Sequence, residues 1–182
     1  TIVEPLRAIV DPEYQYRPKH ILMDVHRPEN FNYEDRMRSI LEFGNLCNKQ
    51  TGHPVKMLRF NRTMAAIEKY GLELGNIELV DLMGYKDFIK FMQDSSFIVS
   101  DSGTAQEEPA LLYVPVIVPR DFTERPESCE NNNSILLDIT NRACYIKCID
   151  WALVARHTYP KWLGDGTTSQ KIVDILQEEL YD

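Results

Sequence analysis

The amino-acid sequence predicts an α/β fold, a parallel, doubly wound sheet with helices on both faces. Short apolar runs rich in Val, Ile, Leu and Met alternate with longer segments whose apolar residues recur at helical spacing. Polar clusters follow directly after the runs at 20–25, 97–100 and 116–118. In an open parallel sheet the strand C-termini share one edge, and that edge is where ligands bind. No internal repeat interrupts the alternation.

Residues 1–19 hold Pro5, Pro12 and Pro18 and show no amphipathic period, so they read as a connecting segment that follows something else. The run at 20–25 is the first strand. Residues 33–48 form a helix with Met37, Ile40, Leu41, Gly44 and Cys47 on one face. A strand at 55–60 precedes a helix at 63–70, which Gly71 stops. The strand at 77–80 leads to a helix at 85–93, with Phe88, Ile89 and Met92 on one side. The strand at 97–100 leads to a helix at 105–112. A strand at 116–118 lies between Pro115 and Pro119. A long helix at 142–156 carries Ile146, Ile149, Leu153 and Val154, and a last helix spans 167–180.

Composition narrows the function classes. A chain of 182 residues, 43% apolar and 26% charged, has enough material for one packed core. The formal net charge of −8 argues against nucleic acid as the main partner, though not against one small anion in a basic pocket. No apolar run reaches the length of a membrane span and no signal peptide opens the chain, so no membrane partner is expected. Cys47, Cys129, Cys144 and Cys148 make no Cys-x-x-Cys pair and read as free thiols in a reducing compartment, the cytoplasm. Two glycosylation sequons mean little without a secretory signal.

Three clusters carry candidate chemistry. Ser102-Gly103-Thr104 stands at a strand-to-helix junction, where unpaired backbone N–H groups, two hydroxyls and a missing side chain suit a phosphate. An ordinary helix cap on Asp101 or Ser102 explains the same residues. Glu108, about a turn further on, is placed to accept hydrogen bonds from a vicinal diol such as ribose. His26-Arg27-Pro28-Glu29-Asn30 follows the first strand, and its histidine suits either a ligand contact or a cap on the sheet. The spacing of His20, His26 and Glu29 is not that of a zinc site, so no metal is expected. After the strand at 116–118, Arg120 and Arg125 stand among three acids, Asp121, Glu124 and Glu127. A guanidinium fork suits a diphosphate, and a solvated loop of local ion pairs is the competing reading.

Together these clusters carry a specific resemblance. His-Arg-x-Glu-Asn, Asp-Ser-Gly-x-x-Gln-Glu-Glu, Arg-x-x-Thr-Glu-Arg-Pro-Glu and a late Gly-Asp-Gly occur in this order over nearly the whole chain. The chain resembles the C-terminal half of the non-hydrolysing UDP-N-acetylglucosamine 2-epimerases. The resemblance implies one Rossmann-like domain, residues 20–182, of a two-domain fold of the glycosyltransferase-B type. Residues 1–19 would be the interdomain connector, and the catalytic acids would lie in an N-terminal domain outside this chain. The implied reaction inverts C2 of a UDP-N-acetylhexosamine by eliminating and re-adding UDP, in nucleotide-sugar and surface-glycan biosynthesis. It needs no cofactor. The implied partners are the sugar nucleotide, the enzyme's own N-terminal domain and a second copy in a homodimer.

Residue by residue, the resemblance implies that Ser102 and Gly103, with Thr104, hold the diphosphate, and that Glu108 takes the ribose hydroxyls. Arg125 would sit near the diphosphate and sugar, with Arg27 and Glu29 as further contacts. Tyr85 and Phe88 would flank uracil. His26 would stabilise or protonate the departing UDP. Thr104 and Pro28, and Lys161-Trp162-Leu163 before Gly164, depart from the family's usual pattern. Related subfamilies act on 6-deoxy-L-hexosamines or a diacetamido-uronate, so the sugar stays open. A UDP-sugar transferase of the same fold and a nucleotide-binding module without chemistry are the other function classes.

Overall fold

In the computed structural model, which describes residues 2–10, 13, 14, 16–155 and 159–181, the alternation closes into one sheet. The strands are β1 (His20–Asp24), β2 (Val55–Leu58), β3 (Ile77–Val80), β4 (Ser95–Ser100), β5 (Val116–Val118) and β6 (Ser134–Leu136). Their order is β3-β2-β1-β4-β5-β6, and every pairing is parallel. The order reverses between β1 and β4, and a crevice opens there beyond the strand C-termini.

The two faces follow from the period of two along each strand. Ile21, Met23 and Val25 share one cluster with Phe97 and Val99. It is covered by α3 (Glu34–Thr51), α4 (Asn61–Lys69) and α8 (Tyr145–Val154), through Met37, Ile40, Phe43, Ile67 and Ile149. Leu22, Leu58, Ile98, Val116 and Val118 face the other way. There α5 (Tyr85–Gln93) contributes Ile89 and Met92, and α1 (Val3–Arg7) contributes Leu6. In α3, Gly44 lets the helix lie close on the sheet, since a Cβ there would stand 2.6 Å from the Met23 sulfur.

Several elements differ from the sequence reading. The helix expected at 105–112 is broken. A 3-10 turn at Thr104–Gln106 precedes the short α6 (Glu108–Leu111), with Pro109 in its first turn. Proline has no N–H to continue an earlier turn but suits a helix start, so a new helix begins there. The expected helix at 142–156 opens as a 3-10 turn, Arg142–Cys144, before α8, and its last residue lies outside the described residues. Its buried face is Tyr145, Cys148, Ile149 and Ala152, whereas Ile146, Leu153 and Val154 are exposed. Tyr145 meets Phe43 edge to face, 5.0 Å between centroids, which sets that rotation.

Three elements escaped the pattern because they are short: α2 (Pro28–Phe31), α7 (Pro126–Glu130) and the edge strand β6. The segment read as a connector also contains α1. Glu4 accepts from the N–H and hydroxyl of Ser169, in the first turn of α9 (Thr168–Tyr181). Arg7 donates to the carbonyl of Asp165, 2.7 Å. Among the described residues, no helix is long and apolar enough to cross a membrane.

His20, at the start of β1, is 2% exposed, stacked 4.0 Å from the Phe91 ring, with Nε2 3.1 Å from the Ser95 hydroxyl. Burial, reinforced by the Lys56 ammonium, pushes its pKa from 6.5 down to about 4. The unfolded chain therefore binds the extra proton between those values, and stability falls as pH falls through that window. His20→Phe keeps the stack and leaves the Ser95 hydroxyl its bond to the Phe91 carbonyl. Urea unfolding at pH 7.5 and pH 4.5 should show the variant losing less stability on acidification, by roughly 2 kcal/mol.

Candidate functional site

The site grows from the C-terminal ends of β1 and β4. These strands pair in register, Met23 with Val99 and Asp24 with Ser100. Asp101, immediately after β4, is fully buried, and its carboxylate accepts three hydrogen bonds. Two come from the backbone N–H groups of His26 and Arg27, at 2.9 and 3.0 Å, and one from the Asn30 side-chain amide at 2.9 Å. Asn30, also fully buried, donates to the Pro119 carbonyl at the end of β5 and accepts from Arg36 Nε. Asp101 therefore caps the turn after β1 rather than the helix that follows it in sequence.

His26 lines a cleft of about 370 Å³ together with Asp24, Phe60, Met83, Phe88, Ser102 and Thr104. Its Nδ1 lies 2.8 Å from Asp24 Oδ1, and its ring packs 4.9 Å from that of Phe60. The bond to Asp24 is the main cause that raises the His26 pKa, against the opposing effect of burial.

The Ser102-Gly103-Thr104 turn forms the floor. Ser102 N–H donates to Ser100 Oγ at 3.1 Å, and the hydroxyls of Ser102 and Thr104 meet at 3.1 Å. The Ser102 amide is therefore already committed, contrary to its expected role as a free donor. Among the described residues, no acceptor meets the N–H groups of Gly103 and Thr104. Gly103 has φ −66°, open to any residue, and a Cβ there would point between the Arg27 guanidinium, 3.8 Å, and Glu124 Oε2, 3.9 Å. Its bareness keeps space clear rather than allowing an unusual backbone.

The remaining expected residues divide. Glu108 is buried and accepts from the Tyr85 hydroxyl at 2.9 Å. Burial raises the Glu108 pKa, and burial with the Glu108 carboxylate pushes the Tyr85 phenol up to about 12. Phe88 lies in the cleft beside His26. Arg125 does not line that cleft. Its guanidinium pairs with Glu107, and it lines a second hollow with Ile2, Glu124, Glu127 and Trp162. Glu29 pairs with Arg120 at 2.8 Å and, like Arg27, Tyr85 and Glu108, does not line the cleft either.

The family model for UDP-N-acetylglucosamine 2-epimerase matches residues 5–177. The chain belongs to the UDP-N-acetylglucosamine 2-epimerase family. It is 32% identical to the Bacillus subtilis UDP-N-acetylglucosamine 2-epimerase, over 97% of this chain and 50% of that protein. It is 35% identical over 104 residues, 57% of this chain and 29% of the relative, to the Pseudomonas aeruginosa UDP-2,3-diacetamido-2,3-dideoxy-D-glucuronate 2-epimerase. Its fold matches the Methanocaldococcus jannaschii UDP-GlcNAc 2-epimerase solved with UDP-GlcNAc and UDP, with TM-score 0.81 and 25% identity, covering 97% of this chain and 48% of that one. The chain spans about half the length of the curated relatives it matches. The fold is that of one Rossmann-like half of these glycosyltransferase-B-type proteins.

Within this member of the 2-epimerase family, sequence reasoning missed the groups that hold the cleft in shape. Asp24 and Ser100 were read as strand residues, Asn30 as part of a polar run, and Gln106 as a motif letter. Gln106 is fully buried, takes the Thr123 hydroxyl at 2.7 Å and reaches back to the Ser102 carbonyl at 3.4 Å. A polar residue at the end of an otherwise apolar strand was the available signal for Asp24 and Ser100. Asn30→Leu should cost about 2–4 kcal/mol in urea unfolding, because it strips a donor from buried Asp101 and an acceptor from Arg36.

Proposed function

We propose that this chain is the UDP-binding half of a UDP-N-acetylhexosamine 2-epimerase. The observation that carries the reading is the cleft at the sheet's switch point. It joins His26, the hydroxyls of Ser102 and Thr104, and the apolar wall of Phe60, Met83 and Phe88. The relative solved with UDP-GlcNAc and UDP supports a nucleotide sugar as ligand.

In this reading the diphosphate lies over Gly103, where the N–H groups of Gly103 and Thr104 and the Arg27 guanidinium converge. The uracil lies on the apolar wall, and Glu108, oriented by Tyr85, takes the ribose hydroxyls. A base outside this chain removes the C2 proton. The electron pair of that bond forms the C1–C2 double bond, and the C1–O bond breaks with its pair going to UDP. Re-addition of UDP to C1, with return of a proton to the opposite face of C2, gives the epimer. Donors aimed at the phosphate lower the barrier because they stabilise charge that appears only as C1–O breaks. His26 is such a donor.

The proton-abstracting carboxylates and most sugar contacts belong, in this reading, to an N-terminal domain. Ile172, Val173, Ile175, Leu176 and Leu180 on α9 are all exposed, and an apolar helix surface of that kind fits coverage by such a domain.

Calorimetry with this chain should show UDP binding. Gly103→Val should weaken it at least tenfold while leaving the melting temperature unchanged, since the backbone there accepts any residue and the added side chain enters the phosphate space. Equal UDP affinity in the variant would move the phosphate site elsewhere. The chain alone should exchange no deuterium into C2 of a UDP-N-acetylhexosamine, whereas a protein pairing it with the acid-bearing domain should do so. Exchange by the chain alone would refute the division of labour.

A further inference from the structure

We propose that Asp24 is the positioning residue of His26, receiving Nδ1–H on a buried carboxylate so that Nε2 carries the proton offered to the departing phosphate. The proposal deepens, and rests on, the functional reading above. Its basis is the strand period. Leu22, Asp24 and His26 follow one another on one side of β1 and its extension, and Ile98, Ser100 and Ser102 do the same on β4. The register sets Asp24 against Ser100. One side of the sheet thus runs from core to cleft, apolar first and then polar.

The hydrogen bonds make this a connected chain. Asp24 Oδ1 is 2.8 Å from His26 Nδ1, and Asp24 Oδ2 accepts from Ser100 Oγ at 3.0 Å. Ser100 Oγ in turn accepts from the Ser102 N–H at 3.1 Å. Asp24 is 5% exposed, so its carboxylate keeps these two partners rather than water. With Nδ1 committed to Asp24, Nε2 is the ring nitrogen left for a ligand in the cleft.

The charges around His26 are few. Asp24 lies on its own strand, Asp101 stands 3.8 Å from Nδ1 at the end of β4, and Arg27 adjoins it in sequence. From β2 and the residues after it, the segment between β3 and α5, and α5 itself, the groups lining the cleft are Leu58, Phe60, Leu82, Met83 and Phe88, none of them charged. The two carboxylates favour the imidazolium, Arg27 and burial oppose it, and the direct bond to Asp24 decides the balance. The imidazolium donates from both nitrogens. In the elimination its Nε2 proton moves to, or bonds, the phosphate oxygen that leaves C1, and it returns when UDP adds back.

The test uses this chain labelled with 15N-histidine. In the wild type, NMR above the His26 titration should find the neutral ring protonated on Nδ1, and the titration should lie above that of an ordinary histidine. Asp24→Asn keeps an acceptor for Nδ1 but removes the charge, so the titration should move to lower pH in a chain whose other resonances stay put. UDP affinity should be full below the His26 titration and fall as pH rises through it. In Asp24→Asn that fall should come at lower pH, leaving affinity near neutrality about tenfold weaker, the scale of one charged hydrogen bond. A neutral ring protonated on Nε2 in the wild type overturns the proposal, as does an unmoved titration in folded Asp24→Asn. If the variant does not fold, the wild-type tautomer decides. Absence of UDP binding by the wild type counts against the functional reading, whereas the tautomer and titration test the pair independently of it.

Discussion

The buried carboxylate of Asp101 is the constraint on which the cleft depends. A carboxylate taken out of water costs several kcal/mol unless its oxygens are met by donors. Here the donors are the N–H groups of His26 and Arg27 and the amide of Asn30. Two of the three belong to the main chain, so satisfying the charge fixes the path of the backbone as it leaves β1. Asn30 extends the tie to Pro119 at the end of β5. One buried charge thus locks three strand ends together, and the side chains that line the cleft inherit their spacing from it.

A second constraint is the commitment of the arginines. Arg120, 3% exposed, forks onto Glu124 at 2.6 and 2.9 Å and also meets Glu29. The pairing with Arg120 holds the Glu124 carboxyl down at about 2. Arg125 is paired with Glu107. Around the crevice, Arg27, Arg120 and Arg125 stand against Asp24, Asp101, Glu29, Glu107, Glu108 and Glu124, so acids outnumber bases. A dianionic ligand is therefore not drawn in by a positive field. On the proposed reading it is selected by directed donors, namely backbone N–H groups, two hydroxyls, one imidazole and the Arg27 guanidinium, while Arg120 and Arg125 are already paired with acids.

The sequence revealed the sheet because periodicity survives without knowledge of contacts. Five of the strands announced themselves by short apolar runs, and Tyr85–Gln93 by its apolar stripe. β6 was hidden because three residues after an Asn-rich turn carry too little pattern to separate from a loop. Of the apolar residues noted on α8, only Ile149 faces the core. Hydropathy ranks Ile, Leu and Val above Tyr, Cys and Ala, but the helix turns Tyr145 and Ala152 inward because the space beside Phe43 suits an edge-on ring and small neighbours. Ser102, Gly103 and Glu108 were singled out as candidates by a junction motif. Asp24, Ser100 and Gln106 were not, because their importance lies in partners that only the register supplies.

The same register bears on specificity. Along β1 and β4 the side facing α5 is apolar at Leu22 and Ile98, then polar at Asp24, Ser100, His26 and Ser102. Core and cleft are successive stretches of one surface, so the cleft is as fixed as the core beneath it. What it presents, on the proposed reading, is addressed to a diphosphate, a ribose and a flat base. These parts are common to the UDP-N-acetylglucosamine and the diacetamido-glucuronate nucleotides for which the relatives are named. A rigid surface matched to the shared part of two substrates cannot distinguish them. Discrimination between the sugars must then come from groups across the cleft, which is consistent with a division between a half that holds the nucleotide and a half that handles C2.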